Sequence, residues 1–121
     1  PQHFERVVRG VAGALGCEAD ILFERGNRPT VNDPALCAYA RDAAISVVGE
    51  AHVRHDVRTM GGEDFSAFLE RVPGVFIAVG SRNEQRGLVY DHHHPRFDVD
   101  EQSMALGAEV LLETMRRYLA S

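Results

Sequence analysis

Lysine is absent from this sequence: all 13 basic residues are arginine, they face 18 acidic residues, and the formal net charge is -5. Proteins that bind nucleic acid carry basic clusters, with aromatic side chains among them when they bind single strands. No such cluster occurs here. We therefore expect no nucleic-acid partner.

Long apolar runs are absent as well. A membrane-spanning helix needs about 20 consecutive apolar residues, and no stretch of this chain approaches that length. No signal-peptide pattern is present, so we expect no membrane partner. The two cysteines, Cys17 and Cys37, have neither the spacing of a disulfide framework nor that of a metal-binding pair. We expect both to be small apolar side chains in a reducing cytoplasm.

Three stretches have the apolar spacing of a helix. The first covers residues 4–15 and is followed by Gly16. The second begins where Asn32 or Asp33 caps it ahead of Pro34, and Asp100 is the predicted cap of the third. The predicted interior faces of the second and third helices are Leu36, Tyr39, Ala40, Ala43 and Val47, and Met104, Ala108, Leu111, Met115 and Tyr118. A shorter helix is predicted over residues 63–72.

Three other stretches resemble strands. Residues 17–25 and 51–58 alternate apolar and polar side chains, and residues 75–79 are continuously apolar, which is typical of a strand covered on both faces. A chain of 121 residues is long enough for one domain with its own core. The pattern predicts an α/β fold with a boundary in the loop of residues 26–32. The helix and strand before that loop are too few to bury their own apolar faces.

A histidine tract runs from His92 to His94 and is followed by Pro95 and several acids. Imidazole is the commonest ligand for transition metals, and proline presents the preceding histidine on rigid, extended backbone. A solvated loop without metal is the alternative. His52 and His55 point to opposite faces of a predicted strand and are not expected to share a metal.

The order of motifs resembles a known enzyme family. Residues 60–65 read M-G-G-E-D-F, residues 93–101 read H-H-P-R-F-D-V-D-E, and residues 26–33 read G-N-R-P-T-V-N-D, with Arg28 where the family usually has proline. These segments resemble the C-terminal end of the metal-dependent amidohydrolases of the aminoacylase and carboxypeptidase G type. That family includes hippurate hydrolase and the indole-acetyl-amino-acid hydrolases.

The resemblance implies a fold and a domain division. Residues 27–121 are expected to be the C-terminal portion of a mixed-sheet metallopeptidase-like catalytic domain. Residues 1–26 are expected to be the helix-strand end of an inserted α+β lid domain, which is also the family's dimerisation surface, so a homo-oligomer is expected. Because family members are about three times longer, the resemblance implies a C-terminal piece that is inactive alone.

The resemblance also implies a function and a site. The intact enzyme is expected to hydrolyse the amide bond of N-acyl amino acids or related small amides and peptides at a two-metal site of Zn, Mn, Co or Ni. The first histidine of H-x-P, His93, is the expected metal ligand in preference to His92 or His94. No catalytic residue is assigned to this chain.

The glycine-rich turn at Gly61, Gly62 and Glu63 is expected to lie beside the substrate, whose carboxylate exposed N–H groups at a helix start could hold. Glu63 has a structural alternative, because acids at a helix start are favoured by the helix dipole. The alternative function for the whole chain is a non-catalytic oligomerisation or interaction module.

Overall fold

The computed structural model describes all 121 residues and is mainly helical. It contains four α-helices, α1 (Gln2–Ala14), α2 (Pro34–Val48), α3 (Ser66–Leu69) and α4 (Gln102–Leu119), and a short 3-10 helix over Glu50–His52. None of these helices combines the length and the apolar character that crossing a membrane requires. The three long helices predicted from apolar spacing are confirmed.

Helix α2 has well-defined ends. Asp33 is the N-cap: its Oδ1 accepts the backbone N–H groups of Ala35 at 2.9 Å and Leu36 at 3.0 Å. Pro34 occupies the first turn, where its missing N–H is no loss. Gly49 ends the helix with φ of 83°, a left-handed backbone that favours glycine. Of the two predicted cap residues, Asp33 is therefore correct and Asn32 has another role.

The core lies where α2 packs against α4. Ala40 and Ala43 of α2 and Val110 of α4 are the buried apolar residues of the chain. Tyr39 and Tyr118 extend the contact, with ring centroids 5.8 Å apart in an edge-to-face arrangement. The predicted interior face of α2 is confirmed.

The predicted interior face of α4 is wrong by one position. Met104 and Met115, both predicted inside, are 61% and 59% exposed, whereas Val110 is 6% exposed. The less exposed residues of α4 are Ser103, Gly107, Val110, Glu113, Thr114 and Arg117. Apolar spacing finds the most hydrophobic stripe of a helix, but the neighbouring segments decide which stripe is covered. A β-carbon added at Gly107 would lie 3.4 Å from Val79 Cγ2, an ordinary contact distance, so residue 79 borders this face of α4.

The structure does not confirm the predicted strands or the mixed sheet. Residues 17–25, 51–58 and 75–79 belong to no ladder, and the one β-bridge is an antiparallel pair between Asn83 and Leu88. A strand exists only through hydrogen bonds to a neighbouring strand, so apolar alternation alone does not form one. The helix predicted over residues 63–72 is also shorter than expected, because α3 is a single turn.

The stretch 75–79 nevertheless has a partner along one edge. The side-chain Oδ1 of Asn32 accepts the N–H of Phe76 at 2.8 Å, and Asn32 Nδ2 donates to the carbonyl of Phe76 at 3.0 Å. The backbone N–H of Asp33 donates to the carbonyl of Gly74 at 2.9 Å. The amide of Asn32 therefore provides the donor and acceptor that a neighbouring strand would provide, and it ties the start of α2 to this stretch.

Residues 1–26 pack mostly on themselves. Helix α1 has no buried residue and contacts none of the other helices. The chain after it folds back, with Phe23 6.4 Å from Phe4 between ring centroids. Arg9 Nη1 also donates to the carbonyl of Ala19 at 3.0 Å.

Candidate functional site

The histidine tract is held between a short turn and the start of α4. Asn83 Nδ2 donates to Asp100 Oδ2, and Arg86 Nη1 donates to Asp100 Oδ1 at 3.1 Å. The backbone N–H of Asp100 donates to the carbonyl of Ser81 at 2.9 Å. The hydrogen bond from Asn83 and the nearby Arg86 guanidinium lower the pKa of Asp100, so this carboxylate stays charged. Asp100 thus ties the start of α4 to Ser81, Asn83 and Arg86, which precede the histidine tract.

Asp100 and Arg96 have different partners. The ion-pair partner of Asp100 is Arg86. The guanidinium Cζ of Arg96 instead lies 4.7 Å from the centroid of the Tyr90 ring. This is cation–π geometry, and it turns the Arg96 side chain away from the acids that follow it.

His93 occupies a strained position in a tight turn. The N–H of His94 donates to the carbonyl of Asp91 at 3.2 Å, which closes a turn over Asp91–His94. His93 is the third residue of this turn, with φ of 69°, and it is the one non-glycine residue of the chain with positive φ. A positive φ at the third residue is the feature of a type II turn, in which this position favours glycine. A left-handed backbone costs a residue with a β-carbon about 1–2 kcal/mol.

His94 has no lone pair to offer a metal. Its Nδ1 accepts the backbone N–H of Arg96 at 3.0 Å. Because a backbone N–H can only donate, Nδ1 is the unprotonated nitrogen, and Nε2 carries the proton of the neutral ring. The ring is also stacked on Tyr90, with centroids 4.2 Å apart and planes 10° apart. Neither nitrogen of His94 therefore has a free lone pair in this conformation.

The other two histidines differ in what they contact. The His92 ring lies 4.9 Å from the ring of Phe97 between centroids, at an angle of 60°. The His93 ring contacts only the edge of His92, at 6.5 Å, and it makes no hydrogen bond. Strained backbone in proteins is concentrated at functional sites. All three histidines are exposed, and neither His92 nor His93 has a hydrogen bond at a ring nitrogen. The strained backbone therefore distinguishes His93 from His92, and its role as a ligand stays a prediction.

The chain by itself does not contain a metal site. No group of three or more histidine, cysteine, aspartate or glutamate side chains lies close enough together to hold an ion. Catalytic zinc sites take three protein ligands and leave one position for water. His93 is predicted to be one such ligand, and no neighbouring histidine, cysteine, aspartate or glutamate side chains complete the set.

The glycine-rich turn is open on one side. The N–H of Gly61 donates to Thr59 Oγ1 at 3.1 Å. A β-carbon added at Gly62 would meet no atom within 4 Å. Space is therefore available at Gly62, although its backbone does not require glycine.

Glu63 makes one local side-chain hydrogen bond, which differs from the helix-dipole role of its alternative interpretation. Its Oε1 accepts the N–H of Phe65 at 3.2 Å, just ahead of α3. Because α3 has only four residues, its dipole is small, and the predicted anion site at a longer helix start loses that support. No hydrogen bond, ion pair or ring contact joins this turn to the histidine tract.

A cleft lies elsewhere on the chain. It has a volume of about 410 Å³ between residues 31–34 and 69–74 and is lined by none of the predicted site residues.

The sequence analysis did not identify Tyr90 and Arg86, which support the histidine tract. The signal for Tyr90 was its position four residues before His94, an aromatic ring at the edge of a histidine run.

Comparison with known proteins gives consistent matches. The family model described as Peptidase family M20/M25/M40 matches residues 6–117. An IAA-amino acid hydrolase of Arabidopsis thaliana, ILR1-like 6, is 34% identical over 98% of this chain and 26% of its own length. The thermostable carboxypeptidase 2 of Saccharolobus solfataricus is 34% identical over 88% of this chain and 26% of its own length. The N-acetyl-L-cysteine deacetylase of Bacillus subtilis is 31% identical over 99% and 27%.

The matches define the family and the extent of the likeness. The chain spans about a quarter of the length of these curated relatives. No solved structure matches it significantly. The resemblance to amidohydrolases and carboxypeptidases drawn from the motifs is confirmed. Because the family model covers nearly the whole sequence, the chain belongs to peptidase family M20/M25/M40.

Proposed function

We propose that this chain is the C-terminal part of a metal-dependent amidohydrolase. The substrate is an N-acyl amino acid or a related small amide or peptide, which is cleaved to a carboxylic acid and an amine. Two relatives support this class through their names, one as a hydrolase of IAA-amino acids and one as a deacetylase of N-acetyl-L-cysteine. The name of a third, a carboxypeptidase, supports peptides as related substrates.

One observation carries the assignment of the site. Within the H-x-P segment of a chain that belongs to this family, His93 alone combines free ring nitrogens with a left-handed backbone. In the proposal, neutral His93 donates a nitrogen lone pair to a divalent ion, Zn, Mn, Co or Ni, in a two-metal centre. When bound, such ions make a hydroxide nucleophile available near neutral pH and polarise the scissile carbonyl. The remaining ligands belong to the complete enzyme, meaning the longer polypeptide in which this chain is the last part.

The turn at Gly61, Gly62 and Glu63 is proposed to border the substrate. The open space beside Gly62 leaves room for a substrate group to approach the backbone closely. Glu63 orders the turn by accepting the N–H of Phe65. Its proposed role is therefore to hold the shape of the turn beside the substrate and not to transfer a proton. The N–H of Gly61 is engaged by Thr59, so the N–H groups of Gly62 and Glu63 are the proposed donors for a substrate carboxylate.

In the complete enzyme we propose that residues 75–79 become a strand of the mixed sheet. One edge is already engaged, because Asn32 pairs with both backbone groups of Phe76. The backbone groups of Val75 and Ile77 face the other edge and make no hydrogen bond within the chain. Their side chains are half-buried and share one face of the stretch, whereas Phe76 on the opposite face is 42% exposed. In the complete enzyme we propose that this second face is covered as well.

A second candidate function is assembly through residues 1–26. Helix α1 contacts no other helix, and its apolar side chains Phe4, Val7 and Val11 are each more than half exposed. We propose that these residues are the end of a lid domain whose surface pairs with a second copy, which gives a homo-oligomer. An exposed apolar face of this kind is a typical interaction surface.

The metal-ligand assignment is tested by changing each histidine of the tract to alanine in the complete enzyme. His93→Ala is expected to weaken metal affinity and hydrolysis of hippurate-like amides by at least about tenfold, because it removes a direct ligand while outer partners alone contribute 10- to 100-fold. His92→Ala serves as the matched control and retains both. Metal content and competition with a chelator give the readout. Equal losses in the two variants would show that another histidine binds the metal.

The isolated chain provides a second test. It lacks the other ligands, so it is expected to show no turnover with Mn, Zn or Co. Turnover by the isolated chain would contradict the proposed division of the site.

A further inference from the structure

An aromatic pair brackets the turn that contains His93. Tyr90 comes just before the first residue of the turn, Asp91, and His94 is its last residue. The rings of Tyr90 and His94 are nearly parallel, 10° apart, with centroids separated by 4.2 Å. Because this contact joins the two sides of the turn, it holds the ends together while His93 projects from between them.

Arg96 contacts both members of the pair. Its guanidinium carbon lies 4.7 Å from the Tyr90 centroid, and its backbone N–H donates to His94 Nδ1 at 3.0 Å. His94 and Arg96 are exposed, whereas Tyr90 is half-buried. Tyr90 is therefore the fixed support on which the other two side chains rest.

The backbone of His93 needs such a support. A type II turn favours glycine at its third position, since a β-carbon there is strained. His93 is nevertheless at φ of 69°, so contacts outside the residue must hold it there. Besides the hydrogen bond between His94 and Asp91 that closes the turn, the ring contact of Tyr90 with His94 spans it. The second ring contact, between His92 and Phe97, reaches only forward along the chain.

We propose that Tyr90 is a positioning residue for His93. Through its ring contact with His94 it holds the turn closed and directs the free imidazole of His93 outward before any metal binds. The Tyr90 hydroxyl makes no hydrogen bond, so the ring and not the hydroxyl performs this role. The inference rests on the proposed role of His93 as a metal ligand, and it places Tyr90 in contact with neither metal nor substrate.

The test compares Tyr90→Ala with Tyr90→Phe in the complete enzyme, by competition for the metal with a chelator. Loss of a residue that orients a ligand typically weakens metal affinity by about 10- to 100-fold. We expect such a loss in Tyr90→Ala and none in Tyr90→Phe, which keeps the ring. If Tyr90→Ala does not fold, Tyr90→Leu, which has a similar volume and no aromatic ring, replaces it.

Tyr39→Ala is the matched control for a merely structural effect. It also removes a tyrosine from a ring pair, the contact of Tyr39 with Tyr118 in the α2–α4 core. We expect it to lower the melting temperature without weakening metal affinity. A parallel fall of both quantities in the Tyr39 and Tyr90 variants would show that Tyr90 acts only on stability.

A readout without metal separates positioning from activity. Nitrogen NMR shifts of the histidine rings in the isolated chain report which nitrogen of His94 carries the proton. The unchanged chain and Tyr90→Phe are expected to keep the proton on Nε2, and Tyr90→Ala is expected to show a mixture of tautomers. The same tautomer in all three would overturn the proposal.

Different results would contradict the ligand role of His93 and the positioning role of Tyr90. If His93→Ala leaves metal affinity unchanged, the proposed ligand is wrong, whatever Tyr90 does. If His93→Ala weakens binding but Tyr90→Ala does not, or if Tyr90→Phe weakens it as much as Tyr90→Ala, His93 is the ligand and Tyr90 does not position it.

Discussion

Helices α1 and α2 are of similar length, 13 and 15 residues, and both are rich in small and apolar side chains, yet only α2 buries a face. Helix α2 packs on α4, where Ala40 and Ala43 are buried. Helix α1 has a stronger separation of apolar and polar sides but no neighbour except the chain that follows it. The difference shows that an amphipathic sequence specifies which face will pack, and that stability comes only when a second element covers it.

The comparison is tested most strongly by placing the same charge in both helices. Ala43 is fully buried, so Ala43→Asp leaves an unpaired carboxylate in the core, and we expect a loss of about 3 kcal/mol or more in the free energy of unfolding. Val11 of α1 is 56% exposed, so Val11→Asp should cost less than about 0.5 kcal/mol. Urea unfolding of both variants measures the difference. Equal losses would mean that α1 is packed in solution.

Removing residues 1–26 is expected to have the next largest effect, and it changes self-association rather than the free energy of unfolding. The chain from residue 27 onward keeps the α2–α4 core but lacks the exposed face of α1. We expect the intact chain to self-associate through residues 1–26, or to lose them quickly to protease, and the shortened chain to associate less. Light scattering and limited proteolysis provide the measurements. A monodisperse intact chain with residues 1–26 protected would contradict the proposed boundary.

The smallest expected effect concerns pH and lies in α4. Glu113 accepts hydrogen bonds from Arg116 at 2.7 Å and 2.8 Å and from Arg117 at 2.7 Å, and these arginines lower its pKa from 4.5 to about 2. A carboxyl whose pKa is lower in the folded state stabilises the protein above its unfolded pKa. This contribution is therefore present above pH 4.5 and is lost as the pH falls towards 2.

The matched variants for this effect are Glu113→Gln and Glu109→Gln. Unfolding measured between pH 5 and pH 2 should show a weaker pH dependence in Glu113→Gln, because the amide has no proton to gain. Glu109 lies on the same helix and makes no ion pair, so Glu109→Gln should retain the pH dependence of the unchanged chain. An identical slope in both variants would show that the arginine pairs of α4 contribute nothing measurable.

Prediction from sequence succeeded where neighbouring residues decide the structure. The ends of α2 follow from Asp33, Pro34 and Gly49, all of which act within one helical turn. The family assignment follows from ordered motifs along the chain and is confirmed by the match over residues 6–117. Within H-x-P the sequence ranked His93 above its neighbours only by resemblance, and the geometry of the turn adds a physical reason.

The sequence by itself determined the three long helices, because apolar spacing and capping depend on residues that are close along the chain. It also determined the family, through the order of its motifs, and it reduced the cap of α2 to two neighbouring residues. Only the tertiary structure decided which face of α4 is covered and that Asn32 pairs with Phe76 across 44 residues. Those outcomes depend on segments that meet in space. The local sequence pattern is the same whether or not a second segment packs against it. The pattern alone therefore does not predict these contacts.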